Sequence, residues 1–253
     1  MEDLKQNKIP SNVCFLTAGV DVQKDRLELE IVGWTADKQS YSIDYRVIDG
    51  NTTLSKTWNE LSKVVDEVFI REDNMEISIA RMAVDSGYNT SEVYAFCRKY
   101  STSKVIAIKG RDDLGIPVAP PRQVDYNKKG QKIGKLKVWN IGVSLLKSEL
   151  YSWLLIEPNT DGTFPEKYCH FPQYQDTYFK GLASEQYLPK IRKWKKTYER
   201  NEPLDCRIYA RACANLVGLD RLTTDQLNKM GNITKNKEPQ KKKTRNRESS
   251  FWD

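Results

Sequence analysis

Leu16-Thr-Ala-Gly-Val-Asp-Val-Gln-Lys-Asp-Arg-Leu-Glu-Leu-Glu-Ile-Val-Gly-Trp34 decides the fold. Within it, residues 15–23 are a short apolar run suited to a central strand, and Lys24-Asp25 makes a turn. Residues 26–35 then alternate, with Leu27, Leu29 and Ile31 on one face and Glu28 and Glu30 on the other. Ala36-Asp37-Lys38 turns again, and residues 41–48 read as a third strand. Three closely spaced strands joined by tight polar turns predict an antiparallel meander.

Beyond the meander the pattern changes. Residues 53–70 show helical spacing through Leu54, Trp58, Leu61, Val65 and Val68; 77–84 read as a buried strand, 91–100 as a helix and 104–108 as a strand. Strand alternating with helix predicts parallel pairing through right-handed crossovers, so the fold class is α/β with a mixed sheet flanked by helices. Residues 111–137, with three prolines, glycines and lysines, read as an inserted loop or hairpin. Residues 141–155 are helical, Cys169-His-Phe-Pro172 is a short extended piece, 177–185 a short helix and 193–198 a strand. Residues 204–219 form a strong helix, with Pro203 near the first turn, where a missing N–H costs little. The expected organisation is an N-terminal extension (1–12), one domain (13–222, with 111–140 inserted) and a basic, disordered tail (233–253).

Composition narrows the function classes. The chain has 253 residues, 39% hydrophobic, enough for a sizeable core, which excludes disorder throughout. No apolar run approaches the ~20 residues of a membrane helix, and the polar start, Met1-Glu-Asp-Leu-Lys-Gln-Asn-Lys8, lacks a signal-peptide core. Five cysteines without a CxxC pair read as reduced core residues of a cytosolic protein, with neither a disulfide framework nor a zinc site. One histidine, His170, excludes a site needing two imidazoles and reads as bonded to a backbone group. Carboxylates must then carry the chemistry. Of the formal charge of +7, +4 falls in residues 233–253, which hold seven basic and three acidic residues. A solvated tail and a nucleic-acid arm both fit it. Within the body, basic residues concentrate at 128–137 and 190–200, clusters that suit a polyanion or a solvated face.

Three aspartates stand out. Asp21 lies in an otherwise apolar strand on the same face as Thr17 and Gly19, and Gly19 leaves room for an ion or a backbone to approach. A buried carboxylate there needs a compensating cation or hydrogen bonds, although a strand-end aspartate bonding a turn fits this stretch equally. Asp85 ends Ile79-Ala-Arg-Met-Ala-Val-Asp85, at the carboxyl end of a strand where open α/β sheets place their sites; capping the next loop is its plainer role. Asp205 lies in the first turn of the last helix, where the helix dipole favours an ionised carboxylate and a capping role is the commoner one. The predicted topology makes the first and fourth strands neighbours at about 4.8 Å, which lets Asp21 and Asp85 share one metal site, with a late helix packing across the sheet to bring Asp205. Oxygen ligands without histidine fit Mg²⁺ or Mn²⁺, and two such ions about 4 Å apart serve phosphodiester hydrolysis.

The quoted stretch resembles the opening of the nuclease region of large terminase subunits of the lambda-like GpA family. Val84-Asp-Ser-Gly-Tyr-Asn-Thr90, Ile108-Lys-Gly110, His170-Phe-Pro172 and Asn201-Glu-Pro-Leu-Asp-Cys-Arg-Ile-Tyr209 resemble its later blocks in the same order, from about residue 12 to 219. The resemblance implies an RNase H-like (RuvC/resolvase-like) fold and a metal-dependent endonuclease that cuts concatemeric phage DNA at packaging, leaving 3′-hydroxyl and 5′-phosphate ends. Asp21, Asp85 and Asp205 match the family's acidic positions: Asp21 would bridge two ions, Asp85 complete one site and Asp205 the other. Implied partners are double-stranded DNA, a packaging ATPase domain, a small terminase subunit and a portal, in the cytoplasm of an infected or lysogenic bacterial host. No Gly-x4-Gly-Lys-Ser/Thr loop occurs, so the sequence reads as an isolated nuclease domain. A resolvase- or transposase-type nuclease of the same fold and a non-catalytic DNA-clamping module are the alternatives.

Lys109 and Arg111, at a strand end expected beside Asp85, are candidates for holding DNA phosphate, as are Lys128, Lys129, Arg192, Lys193, Lys195 and Lys196 in the two basic clusters. A lysine snorkelling from a strand end also fits Lys109. Trp194 and Tyr198 suit either base stacking or the core. Glu202 reads as first-turn stabilisation and Lys147 as an exposed helix residue.

Overall fold

The computed structural model describes residues 6–125 and 134–232. Lys128, Lys129 and the tail at 233–253 lie outside the described residues. In chain order the elements are β1 (Val13–Val22), β2 (Arg26–Thr35), β3 (Ser40–Asp49), α1 (Ser55–Val65), β4 (Val68–Ile70), β5 (Glu76–Asp85), α2 (Thr90–Cys97), β6 (Val105–Arg111), β7 (Arg122–Gln123) and β8 (Lys137–Gly142). They continue with α3 (Val143–Leu154), β9 (Cys169–His170), α4 (Asp176–Leu182), β10 (Glu185–Leu188), β11 (Lys193–Lys196), α5 (Glu202–Val217) and α6 (Thr224–Met230).

The main sheet runs β7-β8-β6-β5-β1-β2-β3-β9. β1, β2 and β3 form the antiparallel meander, and β5 lies beside β1 in parallel, followed by β6 and β8. This is the mixed sheet, antiparallel in one half and parallel in the other, that the α/β reading of the sequence predicts. Apolar residues pack on both faces. On one, Val20, Leu27, Leu29 and Ile31 meet Trp58 and Leu61 of α1 and Phe96 of α2. On the other, Phe15, Ala83 and Ile108 meet α3, α4 and α5 through Leu146, Leu150, Tyr178 and Ile208.

Alternation in β2 ordinarily marks one dry and one wet face, yet Glu28 and Glu30 are fully buried. Glu30 Oε1 accepts from Arg207 Nη1 at 2.7 Å, from the Ser42 hydroxyl at 2.7 Å and from the Tyr178 hydroxyl at 3.0 Å. Glu28 is held by Arg26, Arg200 and Tyr45. Losing one partner of a pair as buried as Arg207–Glu30 costs roughly 3–5 kcal/mol. The polar side of β2 is thus a second, charge-paired core.

The structure corrects several sequence-based boundaries. The helix expected over 53–70 ends at Val65; Val68–Ile70 adopts a period of two, with only Phe69 buried, and pairs antiparallel with β5. Residues 137–142, ahead of the 141–155 helix, are a strand paired with β6. The helix expected to reach 185 stops at Leu182, and Glu185 begins a hairpin with β11. α6 carries a capping box in which the Thr223 hydroxyl accepts from the Gln226 amide, a signal legible in the sequence. All five cysteines are buried free thiols, and no helix among the described residues is long and apolar enough to cross a membrane.

Candidate active site

Asp21 is the penultimate residue of β1 and Asp85 the last of β5. The parallel register pairs Gly19 with Ala83 and Val20 with Val84. Period two then sets both aspartates on the sheet face that α5 covers, one row beyond the last pair. Gly19 is what lets α5 approach. The room beside it is filled by helix backbone rather than by an ion, since a Cβ there would lie 2.0 Å from the Cys206 carbonyl oxygen. The Thr17 hydroxyl donates to the Ala210 carbonyl at 2.8 Å, fixing the same contact. The first turn of α5 therefore meets the carboxyl ends of β1 and β5, and it carries Asp205.

The three carboxyl groups interact electrostatically. Burial raises Asp21 to about 6; the Gln23 amide, donating at 2.6 Å, opposes this, and the charges of Asp85, Glu202 and Glu28 add to it. Burial likewise raises Asp85, against hydrogen bonds from the Gly87 and Ser86 amides and the charge of Lys109. Asp205 rises to about 8, through burial and the charges of Asp21, Glu185 and Asp85, opposed by Lys147. Carboxylate oxygens are the donors a hard divalent cation prefers, which is the chemical fit of these three side chains to such an ion. Among the described residues, no three His, Cys, Asp or Glu side chains stand close enough to make a ready-built cage.

The surroundings sort the remaining candidates. Lys109 is exposed one residue past the Asp85–Ile108 pair, and Arg111 is exposed and engages Asp113 at 3.3 Å. Arg192, at a left-handed turn, and Lys193, Lys195 and Lys196 lie exposed along the β10–β11 hairpin. Lys196 also borders a cleft of about 560 Å³ with Gln23, Arg26, Arg200, Asn201 and Glu202. Trp194 is half-buried, stacked on Tyr151 with ring centres 5.3 Å apart, and its ring N–H donates to the Ser144 hydroxyl at 3.0 Å. Glu202 accepts from Arg26 at 2.6 Å. His170 shares a hydrogen bond with the Gln39 side chain at 3.1 Å and stacks on Tyr41.

Lys147 is a correction. It is buried, not exposed, with Nζ 2.8 Å from both oxygens of Glu185. Sequence reading missed Glu185, Asn201, Gln23 and Glu28 as neighbours of the acids. Glu28 had a signal, since antiparallel register across the Lys24-Asp25 turn pairs it with Asp21. Glu185 and Asn201 had none, because their positions depend on packing between remote segments.

Comparison with known proteins identifies relatives of the chain. Residues 1–226 match the family described as "Terminase large subunit gpA, endonuclease domain". The chain is 32% identical over 220 residues to the terminase large subunit of Escherichia phage lambda, covering 82% of the chain and 33% of that protein. It is 26% identical over 215 residues to the terminase large subunit of Enterobacteria phage P21, covering 81% of the chain and 33% of that protein. The chain thus spans about one third of the length of these relatives. A similar solved structure is the large-terminase nuclease domain of bacteriophage SPP1 with bound Mn, at 10% identity and a TM-score of 0.38 over 78% of this chain and 84% of that one. With the family match spanning nearly the whole described chain and Asp21, Asp85 and Asp205 lying within it, the protein belongs to the terminase large subunit gpA endonuclease-domain family.

Proposed function

We propose that this domain is a metal-dependent endonuclease that cuts double-stranded, concatemeric phage DNA during genome packaging, with Asp21, Asp85 and Asp205 as its metal-holding acids. The observation that carries the reading is geometric: β1 and β5 run side by side in parallel, with Asp21 and Asp85 one row past their last pair, and α5, which carries Asp205 in its first turn, packs backbone to backbone on Gly19 of β1. Asp21, Asp85 and Asp205 would together hold the ions through their carboxylate oxygens. Two Mg²⁺ or Mn²⁺ ions, when bound, supply activation of the attacking water and stabilisation of the leaving oxygen.

The chain's own residues orient these acids. Gln23 fixes one oxygen of Asp21, and the Ser86 and Gly87 amides fix Asp85. Lys109, Arg111, Arg192, Lys193, Lys195 and Lys196, with Lys128 and Lys129 outside the described residues, would hold DNA phosphates. Such contacts give affinity without reading sequence. The partners proposed from the family are a packaging ATPase domain, a small terminase subunit and a portal, in the host cytoplasm.

Plasmid nicking tests the reading. Wild type is expected to nick with Mn²⁺ or Mg²⁺ and to stop with EDTA, and Asp21→Asn to lose the activity. An Asp21→Asn variant as fast as wild type refutes the assignment. DNA retention without cleavage by wild type points to a clamping module, and preferential cutting of branched DNA to a resolvase-type enzyme.

A further inference from the structure

Lys147 projects from α3 into the site with its side chain 10% exposed, and a buried ammonium needs a counter-charge. Two carboxylates are within reach. Nζ donates to both oxygens of Glu185 at 2.8 Å, whereas Asp205 Oδ1 lies 4.0 Å away. Asp205 is oriented instead by a neutral group: Asn201 Nδ2 donates to Asp205 Oδ2 at 2.8 Å and to Glu185 Oε1 at 3.1 Å. One amide thus spans the two carboxylates, while the ammonium is drawn to the far one.

The backbone of Glu185 is pinned to α3, because its N–H donates to the Tyr151 hydroxyl at 3.2 Å and Tyr151 stacks on Trp194 of β11. The carboxylate therefore faces Lys147 from a fixed strand. Without its charge, the ammonium would have Asp205 as its nearest counter-ion, and closing about 1 Å would turn that long ion pair into a direct charge-assisted hydrogen bond. That ion pair would occupy the oxygen a divalent cation needs.

We propose that Glu185 is a positioning residue of the metal site: by binding Lys147 it holds the ammonium away from Asp205 and leaves Asp205 open to a divalent cation. This rests on the reading of Asp205 as a metal-holding acid. The role differs from simple structural support because its loss is repaired by removing the competitor.

The test is Mn²⁺ binding to the full chain without DNA, followed by electron paramagnetic resonance of the free ion, with unfolding temperatures recorded in parallel. Glu185→Gln is expected to weaken Mn²⁺ binding about tenfold or more, the usual consequence of losing an outer-shell partner. Adding Lys147→Gln to it is expected to return the affinity to near wild type. Wild-type affinity in Glu185→Gln overturns the proposal, and so does a double variant that folds but stays weak. Should Glu185→Gln fail to fold, Lys147→Gln alone decides: binding at least as tight as wild type supports the proposal, weaker binding overturns it. Asp205→Asn separates the two readings, because undiminished Mn²⁺ binding there refutes the role of Asp205 itself.

Discussion

Gly19 and Cys206 meet backbone to backbone: a Cβ added to Gly19 would lie 2.0 Å from the Cys206 carbonyl oxygen. Asp21 is two residues after Gly19, and Asp205 immediately precedes Cys206. This backbone contact between α5 and β1 therefore sits directly beside two of the three acids.

Gly19→Ala is expected to destabilise the domain by about 3 kcal/mol, the upper end of the ~1–3 kcal/mol range for overpacking, because the obstructing atoms are backbone and have little room to yield. At roughly 2–4 °C per kcal/mol for a domain of this size, Tm falls by roughly 6–12 °C. An unchanged Tm in a thermal melt would show that α5 does not press on β1.

Asp205→Asn is expected to stabilise the metal-free protein at pH 8 and to do so much less at pH 5. Burial, with the charges of Asp21, Glu185 and Asp85, raises the folded carboxyl from 3.8 to about 8. A proton held more tightly in the folded state favours folding at low pH, and this advantage fades as pH rises from the unfolded value towards the folded one. The amide removes the cost of ionisation, which for ~1–3 kcal/mol corresponds to roughly 2–12 °C in Tm. Melts of both proteins at the two pH values, with EDTA present, check it; a lower Tm for the variant at pH 8 contradicts the raised carboxyl.

Lys193→Ala with Lys195→Ala is expected to weaken binding of any duplex DNA to a similar degree and to flatten its salt dependence. Both side chains are exposed on β11 and point away from the face that carries Trp194. Each lost phosphate contact reduces the slope of log affinity against log salt by about 0.9. Titrations between low and moderate salt measure it, and an unaltered slope removes the hairpin from the DNA path.

Much of the fold was legible from periodicity because the signals were local. β1, β2 and β3 announced themselves by alternation and polar turns, and strand–helix alternation gave the parallel half. The misreadings fall where short-range pattern is ambiguous. Val68 continued the spacing of α1 although Phe69 alone is buried there, and Lys147 looked like an interruption of an apolar face although Glu185 compensates it. Glu28 and Glu30 looked like a polar face because their partners Arg200, Arg207 and Tyr178 lie far along the chain.

The sequence by itself determined the antiparallel meander and its parallel continuation, the three candidate acids and the family, since strand period, turn chemistry and motif spacing are written in neighbouring residues. Only the tertiary structure decided that α5 lies against Gly19, that Lys147 turns to Glu185 instead of Asp205, and that the far side of β2 is dry. Those outcomes depend on backbone contact and on competition between charges brought together from distant segments, and a side chain's counter-ion is chosen by distance in space, which separation along the chain does not encode.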